Sequence, residues 1–280
     1  MAKLVRSEYT WGYSKFSDHE MKSAQQNAQK VNILGVQVDT YRLSGLLDLI
    51  RSTISAQQHL LITHTHVRGL HLAYEKPWFR DFLNQSDIVY CDGMGVKLAA
   101  RLLGYHIPER YTLADWYDQL IELAYQNGFS FYFLGNPPGV ADLAVQKLKT
   151  AYPGLKITGT HHGFFDQSGG SLENKLIAAE INAQKPNILL VGLGMPAQEK
   201  WLRDHWDQLK PGVNVAITCG AIFEYMAGTL KHGPDWMTQH YMEWLFRLFD
   251  RPDRYAKRYF RDNPLLLVRV LRQKLIGLPF

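Results

Sequence analysis

Val191-Gly192-Leu193-Gly194-Met195-Pro196-Ala197-Gln198-Glu199-Lys200-Trp201 is the stretch that decides the fold. The apolar run Asn187-Ile188-Leu189-Leu190 leads into it and reads as a buried parallel strand. A tight glycine turn follows, and the chain restarts as a helix with Pro196 near its first position. Strand, glycine turn and helix N-terminus together point backbone N–H groups at one place, where an anion is stabilised. Gln198 and Glu199 fall in the first helical turn, within reach of a ligand held at the strand's carboxyl end. The segment therefore predicts a ligand site, and the ligand it suits carries phosphate.

The same alternation runs outward on both sides. Apolar, β-rich runs predict strands at 33–38, 60–65, 87–90, 130–134, 156–160, 187–191 and 213–219. Helical patterns fill the intervals at 44–55, 69–83, 95–103, 113–126, 138–152, 171–184 and 196–209. Repeated βα units predict an α/β, Rossmann-like fold: a mostly parallel sheet with helices on both faces, binding ligands beyond the strands' carboxyl ends. Residues 1–30 are polar and read as an N-terminal arm, and 31–228 form the α/β domain. From 229 to 280 the pattern is all helical, broken at Pro252 and Pro264, and reads as a helical appendage.

Bulk properties narrow the class. The 280 residues are 46% hydrophobic and 20% charged, as in an ordinary globular protein. Cys91 and Cys219 lie far apart, with neither zinc spacing nor a disulfide framework, which predicts a reducing, cytoplasmic setting. Met1-Ala2-Lys3-Leu4-Val5-Arg6-Ser7 has no apolar signal core, and no run reaches the length of a membrane span, so a soluble or peripheral protein is expected. Residues 241–274 hold nine bases and four acids, a surplus equal to the chain's whole net charge of +5. Trp236, Tyr241, Trp244, Phe246, Phe249, Tyr255, Tyr259 and Phe260 run through the same region. Basic helices with interleaved aromatics suit an anionic membrane surface, although such a tail also reads as a solvated face. The neutral remainder argues against a broad nucleic-acid surface.

Several constellations could carry chemistry. Asp92 follows Ile88-Val89-Tyr90-Cys91 and precedes Gly93-Met94-Gly95, so it stands at a strand's carboxyl end, either as a helix cap or as a general base in the cleft. Arg110, Thr112 and Asp115 open the helix at 113. Thr112 and Asp115 read as capping residues, whereas a guanidinium at Arg110 suits phosphate or carboxylate. Gly135 ends Phe131-Tyr132-Phe133-Leu134 in a second strand-to-helix glycine turn. His64 and His66 share a strand and His161 and His162 follow another, but spacing places no third metal ligand, and packing or substrate contact is the favoured reading. No Gly-x-Ser-x-Gly elbow exists for a Ser-His-Asp triad. Gly192-x-Gly194-x-x-Ala197 fits a dinucleotide fingerprint only in part, since the apolar 213–219 run offers no ribose-binding acid about twenty residues on.

Taken in order, these stretches resemble the WecG/TagA/CpsF glycosyltransferases. The resemblance covers about 33–259. It comprises Asp92-Gly93-Met94-Gly95-Val96, Arg110-Tyr111-Thr112 with Asp115, Phe133-Leu134-Gly135, Tyr152-Pro153-Gly154-Leu155 and Gly163-Phe164-Phe165. It continues through the opening stretch to Gly220-Ala221, Ala227-Gly228, Pro234, Trp236-Met237 and Glu243-Trp244-Leu245-Phe246-Arg247-Leu248, with Pro252, Arg254, Arg258 and Tyr259.

The resemblance implies a bacterial, metal-independent, inverting hexosyl- or N-acetylhexosaminyltransferase needing no cofactor. It would move a sugar from a UDP-sugar to a polyprenyl-diphosphate-linked acceptor in cell-envelope or exopolysaccharide synthesis, on the inner face of the plasma membrane. Asp92 would be the base. Thr112, Gln198 and Glu199 would line the donor pocket, with Gly192 and Gly194 near the diphosphate. The appendage would meet the membrane and close the site with Arg247, Arg254 and Arg258. A homo-oligomer is compatible with the family. The chain departs from the family pattern at Thr63-His64-Thr65-His66, where Thr-x-Asn is usual, at Leu113, where Gly is usual, at Cys219-Gly220-Ala221-Ile222-Phe223-Glu224, where Gly-Gly-x-Phe-Asp is usual, and at His232-Gly233-Pro234, where Arg-Ala-Pro is usual. These positions flank the expected substrates, so the sugar stays open; Thr63 is still carried as a binding candidate. The alternative is a diverged, non-catalytic UDP- or lipid-binding partner in the same pathway.

Overall fold

The computed structural model describes residues 29–168, 171–230, 248 and 258–277. Its first elements form a hairpin, β1 (Lys30–Ile33) and β2 (Val36–Asp39), paired antiparallel. The single strand expected at 33–38 is thereby corrected. Leu34 and Gly35 both take positive φ, 52° and 84°, the paired left-handed geometry that matches the twist of two hairpin strands. Leu34 is fully buried, so an apolar residue hides the turn from a reading of polarity.

Parallel units follow: α1 (Leu43–Ser55), β3 (Leu60–Thr65), α2 (Val67–Glu75), α3 (Pro77–Gln85), β4 (Ile88–Cys91), α4 (Met94–Leu102), α5 (Leu113–Asn127) and β5 (Ser130–Gly135). Next come α6 (Val140–Ala151), β6 (Lys156–His161), α7 (Leu172–Gln184), β7 (Ile188–Gly192), α8 (Ala197–Leu209), β8 (Val215–Thr218) and the short α9 (Ile222–Met226). The helix expected at 69–83 is two helices. Lys76 adopts φ −125°, ψ 101°, the extended geometry that a following proline imposes, and Pro77 then starts α3. Pro196 caps α8 instead of occupying its first turn.

The eight strands lie in the order β1-β2-β4-β3-β8-β7-β5-β6, parallel beyond the hairpin. Successive side chains alternate between two cores. Leu189 and Val191 of β7 pack with α2, α3, α4, α7 and α8, whereas Ile188 and Leu190 pack with α1, α5, α6 and α9. Runs such as Ile188–Val191 are apolar throughout because the sheet is covered on both faces.

A π-helical turn (Arg258–Asp262) leads into α10 (Asn263–Ile276). Its Leu266 and Val270 enter the same core as α2 and α4. Arg269 reaches Glu75 and the Nδ1 of His71, each at 2.8 Å, and lies over the Tyr74 ring. Gln273 accepts from Leu34 N–H (2.8 Å) and donates to Asn32 O (3.0 Å), so α10 also clamps the hairpin. Among the described residues, no helix is long and apolar enough to cross a membrane. Leu266→Ala is expected to destabilise the fold by about 2–4 kcal/mol, read by urea denaturation.

Candidate functional site

Four adjacent strands, β3, β8, β7 and β5, send their chains alternately to opposite faces of the sheet: α2 and α8 lie on one side, α9 and α6 on the other. Adjacent parallel strands that part this way leave a crevice at their carboxyl ends. A cavity of about 650 Å³ opens there. Its wall includes His64 near the end of β3, Asp92 beyond β4, Asn136 beyond β5, Gly192 and Gly194 at the opening stretch, and Gly220 beyond β8. Thr112, Leu113, Phe164, Arg68 and Asp262 also line it.

Glycine geometry lets the strand ends approach. Gly135 has φ 131°, and a Cβ there would collide with the Gly192 backbone. A Cβ on Gly192 would stand 2.6 Å from Gly220 O. Asn136 ties the strand-end loops together. Its side-chain amide donates to Gly192 O (3.1 Å) and Gly220 O (3.0 Å), its backbone N–H donates to Gly192 O, and its carbonyl accepts from Gly163 N–H. It holds φ 61°, a left-handed conformation that Asn tolerates better than other side chains. Sequence reasoning stopped at Gly135; the Gly-Asn-Pro-Pro run carried the signal.

Gln198 and Glu199 are brought to this junction from below. Gln198 Oε1 accepts from Gly220 N–H (3.1 Å) and its amide donates to Glu199 Oε1 (2.9 Å). Both are buried, and neither forms part of the cavity wall; they act on the cleft by fixing Gly220. Gly194, at φ 77°, borders open space in the cavity. Thr63 turns into the sheet and donates to Ile88 O, away from the cavity.

At the mouth of α5, Asp115 accepts from Thr112 N–H and from Arg110 Nη1, both at 3.0 Å. Arg110 and Asp115 thus brace each other behind Thr112, which itself lines the cavity. Arg247 and Arg254 lie outside the described residues, as does the Arg258 side chain. The wall also holds Phe164 and Glu224, which enter from sequence only within family motifs, and Arg68 in the first turn of α2, Tyr225 of α9 and Asp262, for which local pattern gives no signal.

Asp92 donates its backbone N–H to Thr65 O, and Gly93, at φ 94°, turns the chain into α4. Its carboxylate faces the cavity with 18% of the side chain exposed, and Oδ2 stands 3.8 Å from His64 Nε2. Burial, with the Asp92 charge second, pushes the neighbouring Cys91 thiol up to about 12, and burial raises Cys219 as well. Neither cysteine is a thiolate nucleophile near neutral pH. Among the described residues, no three His, Cys, Asp or Glu side chains converge as a metal-ligand set. A carboxylate in a polar cleft, ringed by glycine turns and helix N-termini, can take a proton from a hydroxyl beside an anionic ligand.

Glu199 leaves a measurable trace in stability. Burial pushes its carboxyl from 4.5 up to about 7, against the hydrogen bond from Gln198, and Oε2 has no hydrogen-bond partner among the described residues. Folded Glu199 keeps its proton up to about 7, while the unfolded chain releases it near 4.5, so stability falls as pH rises between those values and stays lower above them. Asp39, raised to about 6 by burial, adds a decline of the same sign. Glu199→Gln is expected to remove the Glu199 share, up to about 3 kcal/mol above pH 7, leaving that of Asp39. Urea denaturation from pH 4 to 8 measures it.

Known proteins bear on the same cleft. The profile of the Glycosyl transferase WecG/TagA/CpsF family matches residues 31–278. Among curated proteins, the N-acetylglucosaminyldiphosphoundecaprenol N-acetyl-beta-D-mannosaminyltransferases of Staphylococcus aureus strains NCTC 8325 / PS 47, COL and MRSA252 are similar to it. Each is 25% identical over 250 residues, covering 89% of this chain and 94% of the relative. The matched region takes in every described element of the sheet from residue 31 on, the whole cavity wall and α10, and the chain belongs to the WecG/TagA/CpsF family of glycosyl transferases.

Proposed function

We propose that the protein is an inverting glycosyltransferase that moves a hexosyl or N-acetylhexosaminyl group from a UDP-sugar to a polyprenyl-diphosphate-linked sugar, with Asp92 as general base. The observation that carries this reading is Asp92 in the wall of a cavity that also holds the glycine junction of Gly192 and Gly194. The acceptor class follows the names of the Staphylococcus aureus relatives, whose printed acceptor is a diphosphoundecaprenol-linked sugar.

In the proposed reaction Asp92 takes the proton of the acceptor hydroxyl as its oxygen attacks the anomeric carbon. The bond from that carbon to the phosphate oxygen breaks, and its electron pair leaves with UDP. Opposite-face attack inverts the anomeric centre. Negative charge grows on the departing diphosphate, where the α8 N-terminus, Gly192 and Gly194 offer backbone dipoles without a metal. Thr112 lines the donor side, and Arg110 with Asp115 keeps it in place. Arg247, Arg254 and Arg258 complete the anion-binding side on this reading.

The lipid acceptor calls for a peripheral enzyme at the cytoplasmic membrane face. In support, α10 exposes Val268, Leu275 and Ile276 beside the exposed bases Arg272 and Lys274. Such a mixed apolar and basic face suits anionic headgroups.

Asp92→Asn is expected to lower turnover by about 10²–10⁴-fold while UDP affinity is kept. The check is UDP release across a panel of UDP-sugars with a lipid-diphosphate-sugar acceptor. Wild-type turnover in the variant would sink the base assignment; UDP binding without release from any donor would favour the non-catalytic alternative. Because α10 is part of the core, its membrane role is better probed on the surface than by truncation. Arg272→Gln with Lys274→Gln should weaken binding to anionic vesicles by about 1 kcal/mol per base removed, in a sedimentation assay.

A further inference from the structure

His64 stands beside the proposed base and is held from behind. Its Nδ1 lies 3.0 Å from Thr218 Oγ1 at the end of β8, and its Nε2 lies 3.8 Å from Asp92 Oδ2 beyond β4. Three adjacent strands, β8, β3 and β4, thus place Thr218, His64 and Asp92 in one line that ends in the cavity wall. Thr218 is fully buried and His64 nearly so, which makes the line a built element and not a surface encounter.

We propose that His64 is a positioning residue for Asp92, an inference that rests on the glycosyl-transfer reading above. With the Thr218 hydroxyl donating to Nδ1, the ring proton sits on Nε2, on the side of Asp92 Oδ2 at 3.8 Å. The ring thus stands against one side of the Asp92 carboxylate and orients it toward the acceptor hydroxyl. When the acceptor oxygen bonds to the anomeric carbon, its proton passes to Asp92 and the phosphate oxygen departs with the bonding pair; the imidazole keeps its own proton throughout. The logic is that of a carboxylate and an imidazole fixing each other through a third group. Here the carboxylate takes the proton and the ring is the orienter.

Other titratable groups around the ring are few. Tyr90, its neighbour in β4, is 5.7 Å away between ring centres, and burial raises its hydroxyl well above 10. Cys219, next to Thr218, is likewise pushed up by burial. Among the described residues, His66, 5.9 Å away, and Asp92, 3.8 Å away, are ionisable groups beside His64. The ring's titration therefore reports on Asp92, with His66 as the control.

The test joins one readout that needs no turnover to one that does. Long-range ¹H–¹⁵N spectra of the full chain follow both histidines against pH. Asp92→Asn should lower the His64 midpoint by about one unit, because the charged ring loses its carboxylate, and leave His66 nearly unmoved. An unmoved His64 midpoint overturns the proposal. In the transfer assay, His64→Gln, which keeps an N–H donor, should retain kcat within about fivefold. His64→Ala should lose about 10–100-fold in kcat with UDP affinity kept, beyond any loss explained by its lower Tm. Equal losses in the two variants, or a kcat loss that tracks Tm, would show a packing role and also overturn it. A coupled pair in a protein that releases UDP from no donor would count against glycosyl transfer alone.

Discussion

The side-chain amide of Asn136 is the interaction on which the cleft depends. It spans the carbonyls of Gly192 and Gly220 and so fixes the ends of β5, β7 and β8 against one another. Those strands can come so close only because Gly135 and Gly192 lack a Cβ, so steric permission and hydrogen-bond closure are supplied together. Gln198 fastens Gly220 from the opposite side through its N–H. A wall assembled from loops thus gains the rigidity of a sheet, as a site that must hold a reacting pair in fixed geometry requires.

Much of this was legible in the sequence, for a physical reason. A two-sided parallel sheet needs continuous apolar strands, and β3, β5 and β7 therefore announce themselves by composition. Glycine turns after β5 and β7 marked the strand ends where the cavity lies. The hairpin was hidden because Leu34 is an apolar residue in a left-handed turn, and the break between α2 and α3 because periodicity survives Lys76. At the site, sequence set Asp92 and Gly194 at strand ends and Thr112 at a helix start, with the place of Thr112 in the pocket implied by the family resemblance. It could not separate a polar side chain that lines the cavity from one that braces it. Gln198 and Glu199 fall in the right turn but lie beneath the surface, since helical phase decides orientation and one turn is too short to reveal phase. Asn136 and the His64–Thr218 contact join residues 84 and 154 positions apart, a relation that local pattern does not carry.

Charge in the chain is divided by task. Acidic groups around the cavity are individually placed: Asp92, Glu224 and Asp262 in the wall, Asp115 spent on Arg110 and the α5 start, Glu199 sealed away. Excess base is gathered after residue 241, where, on the proposed reading, a lipid-facing role needs a diffuse field and not a directed bond. On the proposed reading, attraction to the membrane and stabilisation of a leaving diphosphate are met by different parts of one chain. Neither has to be weakened for the other.

The hydrogen bonds from Gln273 to the hairpin join residues up to 241 positions apart. During synthesis the backbone groups of Leu34 and Asn32 emerge early and wait for α10 until nearly the whole domain has left the ribosome. The edge of the sheet is thus completed at the same step as the helix that carries the exposed apolar and basic face. That order ties the exposed apolar and basic face of α10 to completion of the sheet edge.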